Sequence, residues 1–419
     1  MIAAAKVQDL VPDFIGRPPR AVPLRSSAAS LSISVHSQLD ELAQTWRQFE
    51  KDADCSVFQT FDWLSPWQRT IGVTSGVTPA VIIARDLDER IIFIAPLSIV
   101  KSPLGRVLTW LGTDLCDYNA PLIARDFYSN FAHQRFGEVW TDIIKALQHH
   151  PATQHDFVNF EKMPELVGPQ LNPMLQLAVV PHPSGAHSTR LIAPWDTYYF
   201  EKRSSATRRR DRTKLKRLTE FGDIQFKTAT TAKEALEAFE NLVKQKEFWF
   251  AHKGIPNLFA HPGYVDFYRA LLADDRSRQL VHVSHFQVGD TVAAVNLGLV
   301  FGGRYHHVLA SHVDGPIAQF GPGVAHLREI IKYAIERGLE VFDFTIGDEG
   351  YKRDWCETES RLFDHLSGTT LRGHMAVTLL SAAKSGKRFV KQTPVLWAGF
   401  TALRRLLFSR VDPAKGGNG

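Results

Sequence analysis

The chain has 419 residues, 44% apolar and 22% charged, a composition that excludes wholesale disorder and a membrane-embedded body. The length exceeds one ordinary core and predicts two lobes, while three scattered cysteines, Cys55, Cys116 and Cys356, lack metal-ligand spacing and point to a reducing compartment. The formal charge of +5 is concentrated in residues 202–217 (KRSSATRRRDRTKLKR), where nine Lys or Arg face only Asp211, a local +8 that leaves −3 for the rest.

Residues 1–30 mix Pro, Ala, Ser and Arg without periodicity and read as a mobile leader. They lack the basic start and apolar run of a secretory signal, and no stretch of eighteen apolar residues follows, so a cytoplasmic protein without a membrane span is expected. From Ser32 a short strand (SISVH) leads into a helix with Leu39, Leu42, Trp46 and Phe49 on one face. The segment Phe58–Trp67 (FQTFDWLSPW) supplies aromatic core anchors.

Residues 81–100 (VIIARDLDERIIFIAPLSIV) read as two strands around a charged turn, and residues 281–300 (VHVSHFQVGDTVAAVNLGLV) have the same layout. Each hairpin is followed by a helix, through Ile143 and Ile144 in the first half and Ile330 and Ile331 in the second. A short strand then follows, DFVNF at 156–160 and EVFDF at 340–344. This order predicts a tandem duplication of one α+β unit. The expected lobes span 31–190 and 195–368, each a mixed, mainly antiparallel sheet flanked by helices. The Pro- and His-rich Pro181–Pro194 reads as the linker, and His182, His187, the pair His149-His150 and the pair His306-His307 read as solvated loop residues, not metal ligands.

The second half carries a Gly-Pro-Gly turn that the first half lacks. Gly321 and Gly323 let the backbone approach a ligand closely ahead of a helix marked by Val324, Leu327, Ile330, Ile331, Ala334 and Ile335 and stopped at Gly338. The N–H groups of that helix's first turn favour an anion, a phosphate or pyrophosphate above all. The corresponding helix of the first half begins only with Phe136-Gly137, so the second lobe alone is expected to keep the site. The basic run 202–217 has three readings: a solvated helix face, a nucleic-acid contact, or a positive wall gathering anionic substrate or membrane phosphate. No aromatic lies inside the run for bases to stack on, which favours the wall over nucleic acid. The cluster Phe248, Trp249, Phe250 reads as lobe packing or the lining of an acceptor cleft. The tail over 369–419 reads as two basic amphipathic helices parted near Pro394, packing on the second lobe or binding a membrane surface or partner.

The order SSATRRRDRTKLKRLTEFGDIQF, ASHVDGPIAQFGPG and ERGLEVFDFTIGDEGYKRDW resembles the CelD-like acetyltransferases of cellulose biosynthesis, duplicated relatives of the GNAT acyltransferases and of the Fem peptidyltransferases. The resemblance runs from about Ser32 to Phe363. It implies two tandem GNAT-like lobes and an acyl-CoA, acetyl-CoA or another acyl form, with its pyrophosphate at Gly321, Gly323 and Val324 and Lys352 free to pair with phosphate or a carboxylate. The thioester would lie near the end of the Val341–Phe344 strand. In place of the usual Gly-x-Gly or Gly-x-Ala two residues after Gln or Arg, Gln319 is followed by Phe320, Gly321, Pro322 and Gly323, one residue short. An amine must lose a proton as it attacks and the thiolate must gain one. Tyr351 is the candidate acid, and Asp343 either the base or the organiser of the turn at Asp348. Asp348 and Glu349 fit helix-start positions, and Arg208, Arg212, Trp249, Asp314 and Asp348 are the candidate substrate contacts.

The implied activity is acyl-CoA-dependent N-acylation of an amino-bearing precursor, a sugar nucleotide or lipid-linked amino sugar for an extracellular polysaccharide, with no metal. Two alternatives stand beside it. One is a Fem-like transferase taking an aminoacyl group from tRNA. The other is a non-catalytic scaffold or regulatory binder at the inner membrane, using the basic tail and meeting polysaccharide-synthesis proteins there.

Overall fold

The computed structural model describes residues 24–26, 31–130, 136–347 and 349–392. Asp348, most of the 1–30 leader and the tail beyond Gln392 lie outside the described residues. Within the leader, Leu24–Ser26 forms a strand paired antiparallel with Leu31–His36.

The second lobe is built on a seven-stranded sheet. Ile224–Thr228, Val281–Val288, Thr291–Phe301 and Arg304–His312 follow one another as antiparallel neighbours. The chain then crosses over through the helix Pro322–Glu336 and returns as Val341–Ile346, parallel to Arg304–His312. One face of the sheet carries this helix, with Leu327, Ile330, Ile331 and Ala334 packed on Tyr305, Phe342 and Phe344. The other face is covered by the helices Ala232–Lys253 and Tyr264–Ala273 through Phe239, Leu242, Phe267 and Leu271 on Val283, Val295, Leu297 and Leu299.

The first lobe repeats the order. Leu31–His36, Val81–Arg85 and Ile91–Ala95 are antiparallel neighbours, and after the helix Phe136–His149 the strand Phe157–Pro164 returns parallel to Gly105–Trp110. The duplication expected from the paired hairpins is therefore present in the topology. One difference between the copies arises within a single strand. Where Thr291–Phe301 runs unbroken for 11 residues, the first lobe has Ile91–Ala95 and Leu97–Ser102 parted by Pro96. Proline has no N–H for the ladder and fixes its own φ, so the sheet divides there in two. Three strands thus stand where two were expected.

The lobes also exchange strands across the expected linker. Val179–Pro181 pairs with Leu362–Gly368, which itself pairs with Phe157–Pro164 of the first lobe. Ala186–Arg190 inserts in the second lobe's sheet between Val341–Ile346 and Thr358–Ser360. Pairing satisfies the open edge of Val341–Ile346, which would otherwise present unbonded backbone groups. A single apolar cluster then spans both lobes, with Trp63 meeting Phe267 edge-on at 5.0 Å between ring centroids.

The histidines expected in solvated loops are largely in this framework. His306 and His307 are buried in the strand Arg304–His312, and His187 is buried in Ala186–Arg190. His182 meets the Asp364 carboxylate at 2.7 Å. Strand alternation and two covered faces account for the burial; adjacency in sequence did not reveal it.

Candidate active site

The site starts where one strand pairing ends. Arg304, Tyr305 and His306 face Val341, Phe342 and Asp343 in parallel register, and there the pairing stops although the two strands continue to His312 and Ile346. The strands part into a wedge, and their facing backbone groups are outside the ladder.

The start of the helix Pro322–Glu336 lies beside the wedge. Gly321 adopts φ +67 and ψ 56, the left-handed conformation that glycine tolerates without cost. The Val324 and Ala325 N–H groups both donate back to the Gly321 carbonyl at 3.1 Å, so part of the first turn expected to face an anion is already bonded. Gly323 sits against His312, whose ring carbon would be 3.4 Å from an added Cβ. Val324 is exposed.

The basic run forms the helix Ser205–Leu218, capped by the Ser204 hydroxyl accepting from Thr207 N–H at 3.2 Å. Leu215 and Leu218 hold it in one apolar cluster with Ile317, Phe320 and Ala325, next to the Gly-Pro-Gly turn. Its one acid faces inward: Asp211 accepts from Tyr199 Oη at 2.7 Å and meets Arg328 at 3.4 Å. The outward side is therefore basic. Arg209, Arg210, Arg212, Lys214, Arg217, Gln319 and Phe320 line an open groove of about 980 Å³. Lys214 Nζ lies 3.8 Å from where a Cβ of Gly321 would stand.

A second cavity, of about 450 Å³, lies between the lobes at the apex of the wedge. Gln59, Tyr118, His187, Ser188, Arg304, His306 and Asp343 line it. Asp343 is 3% exposed and fully engaged: Oδ1 accepts from Tyr118 Oη at 2.7 Å and from Thr345 N–H at 2.8 Å, and Oδ2 accepts from Arg304 Nη1 at 3.1 Å. Its face opposite Phe342 and Phe344 follows from strand alternation. His306 packs edge-on against Phe58 at 5.7 Å, and its Nδ1 is buried without a hydrogen-bond partner. Burial brings its pKa down to about 4, with a hydrogen bond to the Leu299 backbone opposing the shift, so the ring is neutral at pH 7.

At the far end of Val341–Ile346, Gly350–Arg353 makes a single helical turn. Tyr351 is 41% exposed, rests edge-on against Phe344 at 6.1 Å, and has its hydroxyl pushed up to about 12 by burial and by the nearby Glu349 carboxylate. Lys352, a candidate phosphate partner, is directed inward instead. Its ammonium is buried and donates to the Ile346 carbonyl at 2.8 Å while meeting Glu349 at 2.9 Å, tying the turn to the strand. Trp355 closes the motif as a buried anchor, stacked with Tyr198 and overlaid by the Arg203 guanidinium at 4.7 Å.

The remaining candidates divide. Arg212 lines the basic groove, whereas Arg208 is spent on Phe200, stacking on its ring at 4.2 Å and donating to its carbonyl at 2.9 Å. Asp314 accepts from the Gly315 N–H at 2.8 Å and shapes the loop ahead of the turn. Trp249 and Phe248 are exposed on Ala232–Lys253, contrary to a packing role for the whole cluster, and Lys246 Nζ stands 5.7 Å from the Trp249 ring centroid. Burial lowers the pKa of Lys246, with Glu349 opposing the shift. Sequence reasoning missed Tyr118, Gln59, Arg304 and His306. The first two come from the other lobe, and the last two reach the site through register with Val341 and Asp343, which no local pattern encodes.

Residues 205–353 match the family described as an acetyltransferase (GNAT) domain. No curated protein matches the chain. Among solved structures, FemX superposes with a TM-score of 0.56 at 10% identity, over 81% of this chain and 98% of that one. The C-terminal domain (DUF2156) of an Agrobacterium fabrum protein named as a lysylphosphatidylglycerol synthetase gives 0.50 at 11% identity, over 81% and 96%. A tandem GNAT protein from the clavulanic acid biosynthesis pathway gives 0.45 at 9% identity, over 81% and 99%. Residues 205–353 are thus a GNAT acetyltransferase domain, the domain type of N-acyltransferases, set as the second lobe of a duplicated GNAT fold.

Proposed function

We propose that the protein is an acyl-CoA-dependent N-acyltransferase whose donor lies along the basic groove, with its acyl end in the wedge between Arg304–His312 and Val341–Ile346. The observation that carries this reading is the joining of the basic helix to the Gly321 turn at the mouth of that wedge. Arg209, Arg212, Lys214 and Arg217 would meet donor phosphates, and the acyl group, acetyl by the CelD-like resemblance, would reach the end of Val341–Ile346. The acceptor amine attacks the thioester carbonyl through its nitrogen lone pair, the proton it sheds passes to water in the open cavity between the lobes, the C–S bond breaks, and the thiolate takes a proton from a side chain that water then reprotonates. Tyr351 holds its proton at neutral pH, since its hydroxyl titrates near 12, and is the proposed donor. Asp343, whose two carboxylate oxygens already accept three hydrogen bonds, acts as an organiser of the wedge apex, not as the base.

The acceptor is proposed to enter from the cavity between the lobes and to be an amino-bearing precursor of an extracellular polysaccharide, handled in the cytoplasm. The test is thiol release from acetyl-CoA in the presence of amino-sugar acceptors, with acetylated product identified by mass. No acyl-CoA binding and no thiol release would sink the proposal.

A second reading, aminoacyl transfer from tRNA, is supported by the openness of the groove and by the unbroken basic face of Ser205–Leu218. Excess absorbance at 260 nm from RNA that co-purifies, lost on Arg209→Gln with Lys214→Gln, would favour it over acyl-CoA.

A further inference from the structure

Among its described side chains, the helix Leu371–Gln392 packs on the first lobe through one side. Ala376 is buried against Val107 and Phe157, with Val377 and Leu380 beside it. Gly373 backs directly onto the Asp156 carbonyl, where an added Cβ would overlap the oxygen, so glycine permits the close approach of this side of the helix. The opposite side is left with Leu371, Met375 and Leu379 at 81%, 58% and 61% exposure, each four residues from the last and hence in one row.

The helix's own sequence carries charge of one sign, although the Asp156 carboxylate of the first lobe accepts from Thr370 at its start. Residues 371–392 contain Arg372, Lys384, Lys387, Arg388 and Lys391 and no Asp or Glu. The sequence continues with Arg404, Arg405, Arg410 and Lys415 against Asp412 alone, and with the apolar residues Val395, Leu396, Trp397, Phe400, Leu403, Leu406, Leu407 and Phe408. A second copy of the chain, or the chain's own end folded back, would bring like charge onto like. An anionic bilayer accepts the apolar row and compensates the positive charge together. No helix among the described residues is long and apolar enough to cross a membrane, so the fitting geometry is a helix lying on the surface.

We propose that the protein docks on anionic lipid bilayers through the Leu371, Met375 and Leu379 row, with the positive charge of the segment supplying the attraction to lipid headgroups. The proposal is independent of the acyl donor and acceptor.

The test is co-sedimentation of the full chain with phosphatidylcholine vesicles with and without about one-third phosphatidylglycerol. The expected result is about tenfold tighter binding to the anionic vesicles, weakening with added salt. The triple variant Leu371→Ser, Met375→Ser, Leu379→Ser, with an unchanged circular dichroism spectrum and melting temperature, should lose about tenfold in binding. A chain ending at Gln392 should keep a preference for anionic vesicles. Four results overturn the proposal: no vesicle binding, equal binding to both vesicle types, equal binding by the triple variant, or a dimer by light scattering that the triple variant abolishes.

Discussion

Tyr118 of the first lobe donates a 2.7 Å hydrogen bond to Asp343 of the second, 225 residues away, at the point where the parallel pairing of the second sheet ends. The same carboxylate holds Arg304 at 3.1 Å, so one buried group ties together both lobes and the apex of the wedge.

Tyr118→Phe removes one hydrogen bond to a charged, buried acceptor and is expected to cost about 1.5–3 kcal/mol of stability. Asp343→Asn is expected to cost at least as much, because it also weakens the ion pair with Arg304. Denaturant unfolding measures both. If Asp343 is an organiser, kcat of Asp343→Asn falls by about tenfold or less. Loss of a general base costs roughly 10²–10⁴-fold, and a drop of that size would return Asp343 to the base role.

Removing charge from the groove should act on the donor and spare the fold. Arg209→Gln combined with Lys214→Gln is expected to raise KM for the acyl donor by about tenfold or more, since each charge-assisted contact to phosphate is worth roughly 1 kcal/mol or more. Both side chains are exposed, so the melting temperature should stay put. A control at Arg208, whose guanidinium is bonded to backbone carbonyls, should show the reverse pattern: lower stability and little change in donor KM.

Gly321→Ala puts a side chain on a left-handed backbone with open space around it, the nearest atom being 3.8 Å away. The cost is therefore conformational, about 1–2 kcal/mol, and Gly321→Asn should recover part of it because Asn tolerates this conformation better. Thermal unfolding of the two variants gives the ranking. Equal destabilisation by both would point to a steric clash instead.

Glu50 provides a pH-dependent stability term remote from the site. Its carboxylate accepts the Phe61 N–H at 3.0 Å, and burial lifts its pKa from 4.5 to about 7. Between those two values the folded chain holds a proton that the unfolded chain has released, so this group's contribution to stability falls as pH rises through the window. The loss is on the order of 1–3 kcal/mol. Glu50→Gln stays neutral throughout and should flatten the slope of melting temperature between about pH 4.5 and 7. A variant whose profile runs parallel to the parent's would show that Glu50 is not the source.

The sequence was most informative where information is local. Hydrophobic spacing set the helix Pro322–Glu336, with Gly338 at its end, and alternation placed Asp343 opposite Phe342 and Phe344. The resemblance of the two hairpins foretold the duplicated sheets. It was silent where strands from distant parts of the chain compete for one edge. Pro181–Pro194 looked like a linker because prolines and histidines dominate it, yet Ala186–Arg190 completes the second sheet, and Leu362–Gly368 crosses back to the first.

Residue type alone could not assign Lys352 or Arg208 either. Both have the charge to meet a phosphate, but Lys352 bonds the Ile346 carbonyl and Arg208 bonds the carbonyls of Phe200 and Arg203. By itself, the sequence determined two α+β lobes, a glycine turn at the head of one helix, and a basic run earlier in the chain. Tertiary structure decided that Leu215 and Leu218 pack the run beside that turn, and that Tyr118 of one lobe reaches Asp343 of the other. Period and composition are properties of neighbours in the chain, whereas burial and register depend on which distant surfaces meet.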